Sequence, residues 1–322
     1  MIVAAMPFLI ILGLLGAALF IKPKSTGKNI PLPVIEKRDR FYGIVVPEQG
    51  VIWMAGSGGK IIRSNDGGKK WAVQSTPVSQ HLQDIAAWDG QRAVAVGNLG
   101  VVLITGNGGQ GWKEVQAPKS SVANKLIRVK AFPGGTAWSV GEMGAVLVSR
   151  DYGATWVRST KEEDVGWNDI TFIDARNGWV VGEFGRMLHT KDGGTSWEPV
   201  KGPVQASLMG VAFRDGSNGV AVGMEGVVLA TADGGRSWKE AKKVTKVHLF
   251  DVTWTGDSWR AVGGKGMSLT ADKAASVWTA ARLSDTDMSW HTRAITRFGT
   301  TYICGGTAGI LDKGNWNIFK AS

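Results

Sequence analysis

Apolar and polar residues alternate along this chain in short runs, each closed by a glycine-rich turn, and the same order of runs returns seven times. The opening run of each unit is clearest at Leu82 to Trp88, Leu126 to Phe132, Trp167 to Ile173, Leu208 to Phe213 and Leu249 to Trp254. Alternation over four to eight residues between turn signals reads as a half-buried strand. A second run leads into an apolar-G-x-x-G motif, as in A-V-G-N-L-G from Ala95, S-V-G-E-M-G from Ser139, V-V-G-E-F-G from Val180 and A-V-G-M-E-G from Ala221. Further copies are A-V-G-G-K-G from Ala261 and, in the outer units, Gly56/Gly59 and Gly306/Gly309. A third run carries the chain from the second glycine to a Ser or Thr, and a fourth begins at a tryptophan. The pattern therefore predicts four strands per unit, A to D, with the G-x-x-G motif forming the B–C hairpin.

Between strands C and D stands a fixed phrase: S-N-D-G-G-K-K-W ending at Trp71, then copies ending at Trp112, Trp156, Trp197 and Trp238 and worn copies ending at Trp278 and Trp316. Successive closing tryptophans are 41, 44, 41, 41, 40 and 38 residues apart. A period near forty with several strands per unit is the mark of a β-propeller. The fold expected is all-β: one seven-bladed propeller of four-stranded blades over 41–322, which leaves no residues for a second domain. In the phrase, Asp66, Asn107, Asp151, Asp192 and Asp233 are expected to accept hydrogen bonds from nearby backbone amides, with glycine allowing the reversal. Trp71, Trp112, Trp156, Trp197 and Trp238 are expected in the blade core rather than stacked on a ligand.

The first 40 residues differ in kind. Met1 to Ile21 carries no charged side chain, and about 20 apolar residues suffice to cross a bilayer as a helix. Nothing basic precedes Pro7 and Ala17-Ala18-Leu19 is a poor cleavage site, so 1–21 reads as an N-terminal transmembrane helix, an uncleaved anchor. Residues 22–40 read as a linker rich in Pro and Lys, whose stretch from Ile30 to Ile35 is a candidate extra outer strand. Lys22, Lys24, Lys28, Lys37, Arg38 and Arg40 all follow the span, and a positive-inside count holds that flank in the cytoplasm. A short span ahead of a large β-domain is instead the plan of an exported, tethered domain. We read export, with the protein at the inner membrane and the propeller in the periplasm.

The formal net charge of +10 changes this picture little. The linker cluster is explained by anionic lipid, and no interleaving of basic and aromatic residues marks a nucleic-acid groove. The histidines His81, His189, His248 and His291 fall in different repeats without ligand spacing, so neither a metal nor a cofactor is expected. A G-x-G-x-x-G at Gly106 to Gly111 is simply the second phrase and opens no helix.

S/T-x-D-x-G-x-x-W at Ser64, Ser149, Thr190 and Thr231 resembles the Asp-box of sialidases and related propeller glycosidases. That resemblance implies an alternative, a sialidase-like hydrolase or a carbohydrate-binding propeller; its carboxylate pair has no assignment, and the acidic loop Glu162–Glu163–Asp164 reads as a solvated surface. A sialidase needs a tyrosine nucleophile with a Glu partner; the chain has three tyrosines, Tyr42, Tyr152 and Tyr302, Tyr152 lies inside a phrase, and the F/Y-R-I-P motif before the first phrase is missing. Taken together, V-G-x-x-G, x-x-L-x-T and x-D-G-G-x-x-W resemble the photosystem II stability/assembly factor family of seven-bladed propellers. The resemblance implies a non-enzymatic factor that holds membrane-protein intermediates. In non-photosynthetic bacteria it implies an accessory of a resistance–nodulation–division (RND) transporter, so the partner expected is an integral-membrane complex. Fold is better carried by such motifs than partner is. Finally, hairpin positions that ordinarily take Asn, Gly or Asp hold Leu99, Met143, Phe184 and Met224 on four consecutive blades. These four are the expected partner-binding residues, both members of each hairpin pair being expected to face solvent.

Overall fold

A computed structural model describes Gly16, which is helical, and residues 33–320. The expected membrane span and most of the linker lie outside the described residues. No helix among the described residues is long and apolar enough to cross a membrane.

Seven four-stranded antiparallel sheets follow one another in chain order, each built from four consecutive strands. The innermost A strands are Phe41–Glu48, Leu82–Ala87, Leu126–Phe132, Trp167–Phe172, Leu208–Phe213, Leu249–Trp254 and His291–Arg297. The central B strands, such as Ala93–Gly97 and Gly219–Gly223, are buried throughout, while D strands such as Lys113–Glu114 are short and exposed. This gradient follows from the architecture: an inner strand is covered on both faces by neighbouring blades, and the outermost strand is a charged edge that resists pairing with another chain.

The core lies between blades. Val94 and Val96 of blade 2 pack with Leu126, Val129 and Leu147 of blade 3, and Trp53 and Ile61 of blade 1 with Leu82 and Ile85 of blade 2. The tryptophans that close the phrases sit in these interfaces: Trp71, Trp112, Trp156, Trp238 and Trp278 are buried and Trp197 is half-buried. Each such ring hides about 200 Å² of apolar surface, a gross contribution of about 5 kcal/mol. Strand D starts one residue after the tryptophan in blades 1 to 5 rather than at it.

Among the described residues the ring closes by side-chain packing between blades 7 and 1, with no strand exchanged. Thr292 Oγ1 donates to the Tyr42 carbonyl at 3.0 Å, Tyr42 stacks on Trp290 at 5.6 Å, and Phe319 meets the edge of Trp71 at 5.0 Å. The extra strand expected from Ile30 to Ile35 does not form over 33–35. Instead Val34 and Ile35 pack on the core shared by blades 1 and 7, and Asp39 binds Lys60 Nζ at 2.6 Å.

Two turn faces result. The C–D phrase hydrogen-bonds to the A–B turn of its own blade, as in Gly108 N to Gln91 O at 2.9 Å and Gly193 N to Arg176 O at 2.9 Å. The B–C hairpin hydrogen-bonds to the D–A loop, as in Asn98 N to His81 O and Glu183 N to Gly166 O.

Candidate functional site

The hairpin face is built by the glycines of the G-x-x-G motif, and the two have different tasks. The first, Gly97 in blade 2, is extended (φ −165°), and a Cβ there would collide with the His81 carbonyl. The second, Gly100, adopts φ +70°, open to glycine at no steric cost. In blade 7 the glycine that pairs into this register is Gly305, facing His291, and not the expected Gly306; Ala308 takes the place of the second glycine.

The two residues between the glycines differ as sharply, which corrects the expectation that both face solvent. The first turns back toward the start of strand A: Glu142 Oε2 accepts from Lys125 N at 2.8 Å, and Glu183 Oε2 from Gly166 N at 2.7 Å. The second is held at positive φ, 58° at Leu99, 54° at Met143 and 56° at Phe184. Met224 is a first-position residue and half-buried; Glu225 holds the left-handed position in that blade. Of the four apolar residues, Leu99 and Phe184 are each 65% exposed, while Met143 is half-buried. The left-handed conformation costs a residue with a side chain about 1–2 kcal/mol. An apolar side chain held there and presented to water gains nothing for the fold.

The other named residues serve the fold. In blades 1, 3, 4 and 5 the Ser or Thr hydroxyl of the phrase accepts an amide and donates to the Asp: Ser64 Oγ to Asp66 Oδ1 at 2.9 Å, and likewise at Asp151, Asp192 and Asp233. Asn107 substitutes for the carboxylate with Thr105 and Gly111 as partners. The Ser196 hydroxyl and amide hold the Asp192 carboxyl down at about 2, and Ser237 does the same to Asp233. The indole N–H of Trp71, Trp156 and Trp238 donates to a glycine carbonyl within the phrase, whereas Trp112 donates to Gln74 and Trp197 to Ser159. In the acidic loop, Glu162 accepts from Ser120 Oγ at 2.6 Å and Glu163 pairs with Arg186 at 2.6 Å, contacts that tie the loop down. Among the described residues no group of three or more His, Cys, Asp or Glu is placed to hold a metal ion.

The pattern of turns and apolar runs gave no sign of a buried ion network on the A strands. The third position of strand A reads Gly43, Asp84, Arg128, Asp169, Gly210, Asp251 and Arg293 around the seven blades. Each aspartate accepts a backbone amide of the next blade: Val129 to Asp84 at 3.1 Å, Val211 to Asp169 at 2.9 Å, Ala294 to Asp251 at 2.9 Å. Arg128 lies between Asp84 and Asp169, Arg293 between Asp84 and Asp251, and Lys130 Nζ is 2.9 Å from Asp169. Three carboxylates thus meet three cations. Burial pushes the Asp84 carboxyl up, its cations being 3.4 and 3.9 Å away. Burial acts on Asp169 too, but Lys130 and Arg128 outweigh it and hold that carboxyl below its usual range. Reading the A strands in register rather than for alternation would have exposed this series.

An Asp-box propeller with a structural phrase face and a hairpin face carrying strained, exposed apolar residues is the class these features define. The chain belongs to the family described as photosynthesis system II assembly factor YCF48, which matches residues 70–166 and 195–303, more than half of the sequence. Among solved structures it is similar to YCF48 bound to D1 peptide, at 17% identity and TM-score 0.69, over 85% of this chain and 91% of that one. YCF48 from Cyanidioschyzon merolae is similar at 15% identity and TM-score 0.68, over 86% and 94%. The WD40 propeller domain of Doa1 matches at 9% identity and TM-score 0.68, over 87% and 94%, which shows the shared fold alone. No curated protein matches the sequence.

Proposed function

We propose that this protein is a non-enzymatic binding propeller that acts as an assembly or accessory factor of an integral-membrane complex, gripping a segment of that partner on its hairpin face. The observation that carries the reading is the pair Leu99 and Phe184, two large apolar side chains 65% exposed at left-handed backbone positions. Strain retained without a packing return points to function, and exposed apolar residues sharing one face are what a protein interface uses. Membership of an assembly-factor family agrees with this, as does a relative whose structure holds a D1 peptide.

The finer reading is that residues 1–21 anchor the chain in the inner membrane, that the propeller lies in the periplasm, and that the complex served is an RND-type transporter. Its support is the uncharged apolar stretch from Met1 to Ile21 and the linker lysines beside it. Co-purification from detergent tests the interface. Phe184→Asp is expected to lose the transporter while the domain stays folded, and Lys69→Glu on the phrase face to retain it; the reverse pattern places the interface on the wrong side. A reporter active only in the cytoplasm, fused after Ser322, is expected to be silent.

A further inference from the structure

Blade 6 breaks the hairpin pattern. Where blades 2 to 5 place Asn98, Glu142, Glu183 and Met224, it has Gly264, and where they place Leu99, Met143, Phe184 and Glu225, it has Lys265 at φ +56°. The first-position side chain elsewhere fills the space beside the start of strand A. With no side chain at Gly264, a cleft of about 520 Å³ opens between the blade 6 hairpin and the loop leading into blade 7. Pockets of a few hundred Å³ are large enough to bury a side chain or two.

Its walls are apolar: Phe250 and Val247 from blade 6, and Trp290 and Met288 from the loop before blade 7. Trp290 is stiffened by its stack on Tyr42, with the ring planes only 8° apart, whereas Met288 is 51% exposed and free to adjust. Two lysines, Lys246 and Lys265, stand on the rim, both exposed; among the described residues neither is in a salt bridge and no carboxylate lines the cleft. His248, which also lines the cleft, accepts the Glu225 amide of the neighbouring hairpin on its Nδ1 at 2.9 Å. A rigid aromatic wall, an adaptable methionine and two uncompensated cations make a site of one chemical sense.

We propose that this cleft is a second contact on the hairpin face, taking an aromatic or long aliphatic side chain from an extended partner segment whose flanking residues are acidic. The inference rests on the hairpin face being the docking side, and it supplies the chemistry of the segment that docks there. The apolar residue fills the cleft against Trp290 and Phe250, and its acidic neighbours meet Lys246 and Lys265.

The probe is a fluorescein-labelled peptide, capped at both ends, with a central phenylalanine flanked by aspartate and glutamate; binding is read by anisotropy on the full chain in detergent. Gly264→Met fills the cleft with the residue that blade 5 uses at this position; a Cβ at Gly264 meets only Val247 Cγ1, at 3.4 Å, so the fold should accept it. Wild type is expected to bind, more weakly as salt rises. Gly264→Met and Lys265→Glu should each weaken binding on the order of tenfold, and a peptide with lysines in place of the acids should not bind. Lys69→Glu, on the opposite phrase face, should leave peptide binding unchanged. Absence of wild-type binding, equal binding by Gly264→Met, or equal binding of the lysine peptide overturns the proposal. If Phe184→Asp loses the membrane partner while Gly264→Met keeps both partner and peptide, the cleft is wrong and the hairpin face still right. If Gly264→Met loses the peptide while Phe184→Asp keeps the partner, the cleft stands and the Leu99/Phe184 interface fails.

Discussion

Replacing Arg293 with methionine should be among the most damaging single substitutions in the propeller. The guanidinium Nη1 is 3.1 Å from Asp251 Oδ2 and its Nε 3.4 Å from Asp84 Oδ1, and both carboxylates are buried. With the guanidinium gone, Asp84 keeps the Val129 amide at 3.1 Å and Arg128 at 3.9 Å, and Asp251 keeps the Ala294 amide, so neither carboxylate has a cation in close contact. Removing one partner of a buried ion pair costs about 3–5 kcal/mol because the remaining charge stays desolvated. A domain has about 5–15 kcal/mol in all, so the variant should lose a large fraction of its stability, a fall in Tm on the order of 10 °C. Guanidinium unfolding followed by tryptophan fluorescence measures it, since tryptophans line the blade interfaces; the midpoint should drop at constant slope. Asp251→Asn added to Arg293→Met removes the stranded charge and keeps an oxygen for the Ala294 amide, so the double variant should regain about 2 kcal/mol. A loss below about 1 kcal/mol in the single variant, or a further loss in the double, would refute the reasoning: the carboxylates would then be satisfied without the guanidinium.

Other expectations follow from the same structure. Burial holds His291 down to about 4, with Asp287 only partly opposing, against 6.5 in the unfolded chain. Between those values the unfolded state takes up a proton that the folded state refuses, so stability falls as pH drops from 6.5 to about 4, by about 3 kcal/mol. His291→Leu, the residue at the matching Leu82, Leu126, Leu208 and Leu249, should flatten Tm against pH across that window. At Asp192 the folded value of about 2 lies below the unfolded one, so its contribution is complete above pH 4 and lost as pH falls toward 2. Asp192→Ala should therefore be less stable than wild type at pH 7, with the gap narrowing from pH 4 down through about 2, by denaturant midpoint. Phe184→Gly should hold or raise stability by about 1 kcal/mol by relieving the left-handed backbone, yet lose the partner; a marked drop in Tm would show that the phenyl ring packs.

What the sequence disclosed was whatever repeats. Seven phrases and seven hairpins in register defined the blade number, the strand order and the two faces, and Leu208–Phe213 and Leu249–Trp254 form strands with the bounds expected from alternation. Three kinds of information stayed hidden. The two hairpin residues look alike in sequence, and only backbone geometry separates Leu99, turned outward at φ +58°, from Met224, turned inward. The ion network joins residues 39 or more apart, such as Lys130 and Asp169 or Arg293 and Asp251, across blades rather than along a strand. The cleft beside Gly264 comes from a side chain that is not there, and one more glycine among forty-five gives no signal.

These hidden features share a cause. A perfect repeat makes seven equivalent blades, and equivalent blades can exchange places or present only a symmetric surface. The third position of strand A breaks that equivalence inside: Arg293 reaches Asp84 two blades on because Gly43 of blade 1 has no side chain, and a Cβ there would come within 2.7 Å of Asp84 Oδ1. A ring of Asp and Arg in this order is satisfied in one circular arrangement, so the charges that contribute little net stability can still specify which blade sits beside which. On the hairpin face the same asymmetry is turned outward, with apolar Leu99 and Phe184 on one arc and Gly264 and Lys265 on another. An elongated partner segment meeting this face has one orientation in which its apolar and acidic parts both find their places. On the proposed function, departures from the repeat do the recognising and the repeat keeps them in position.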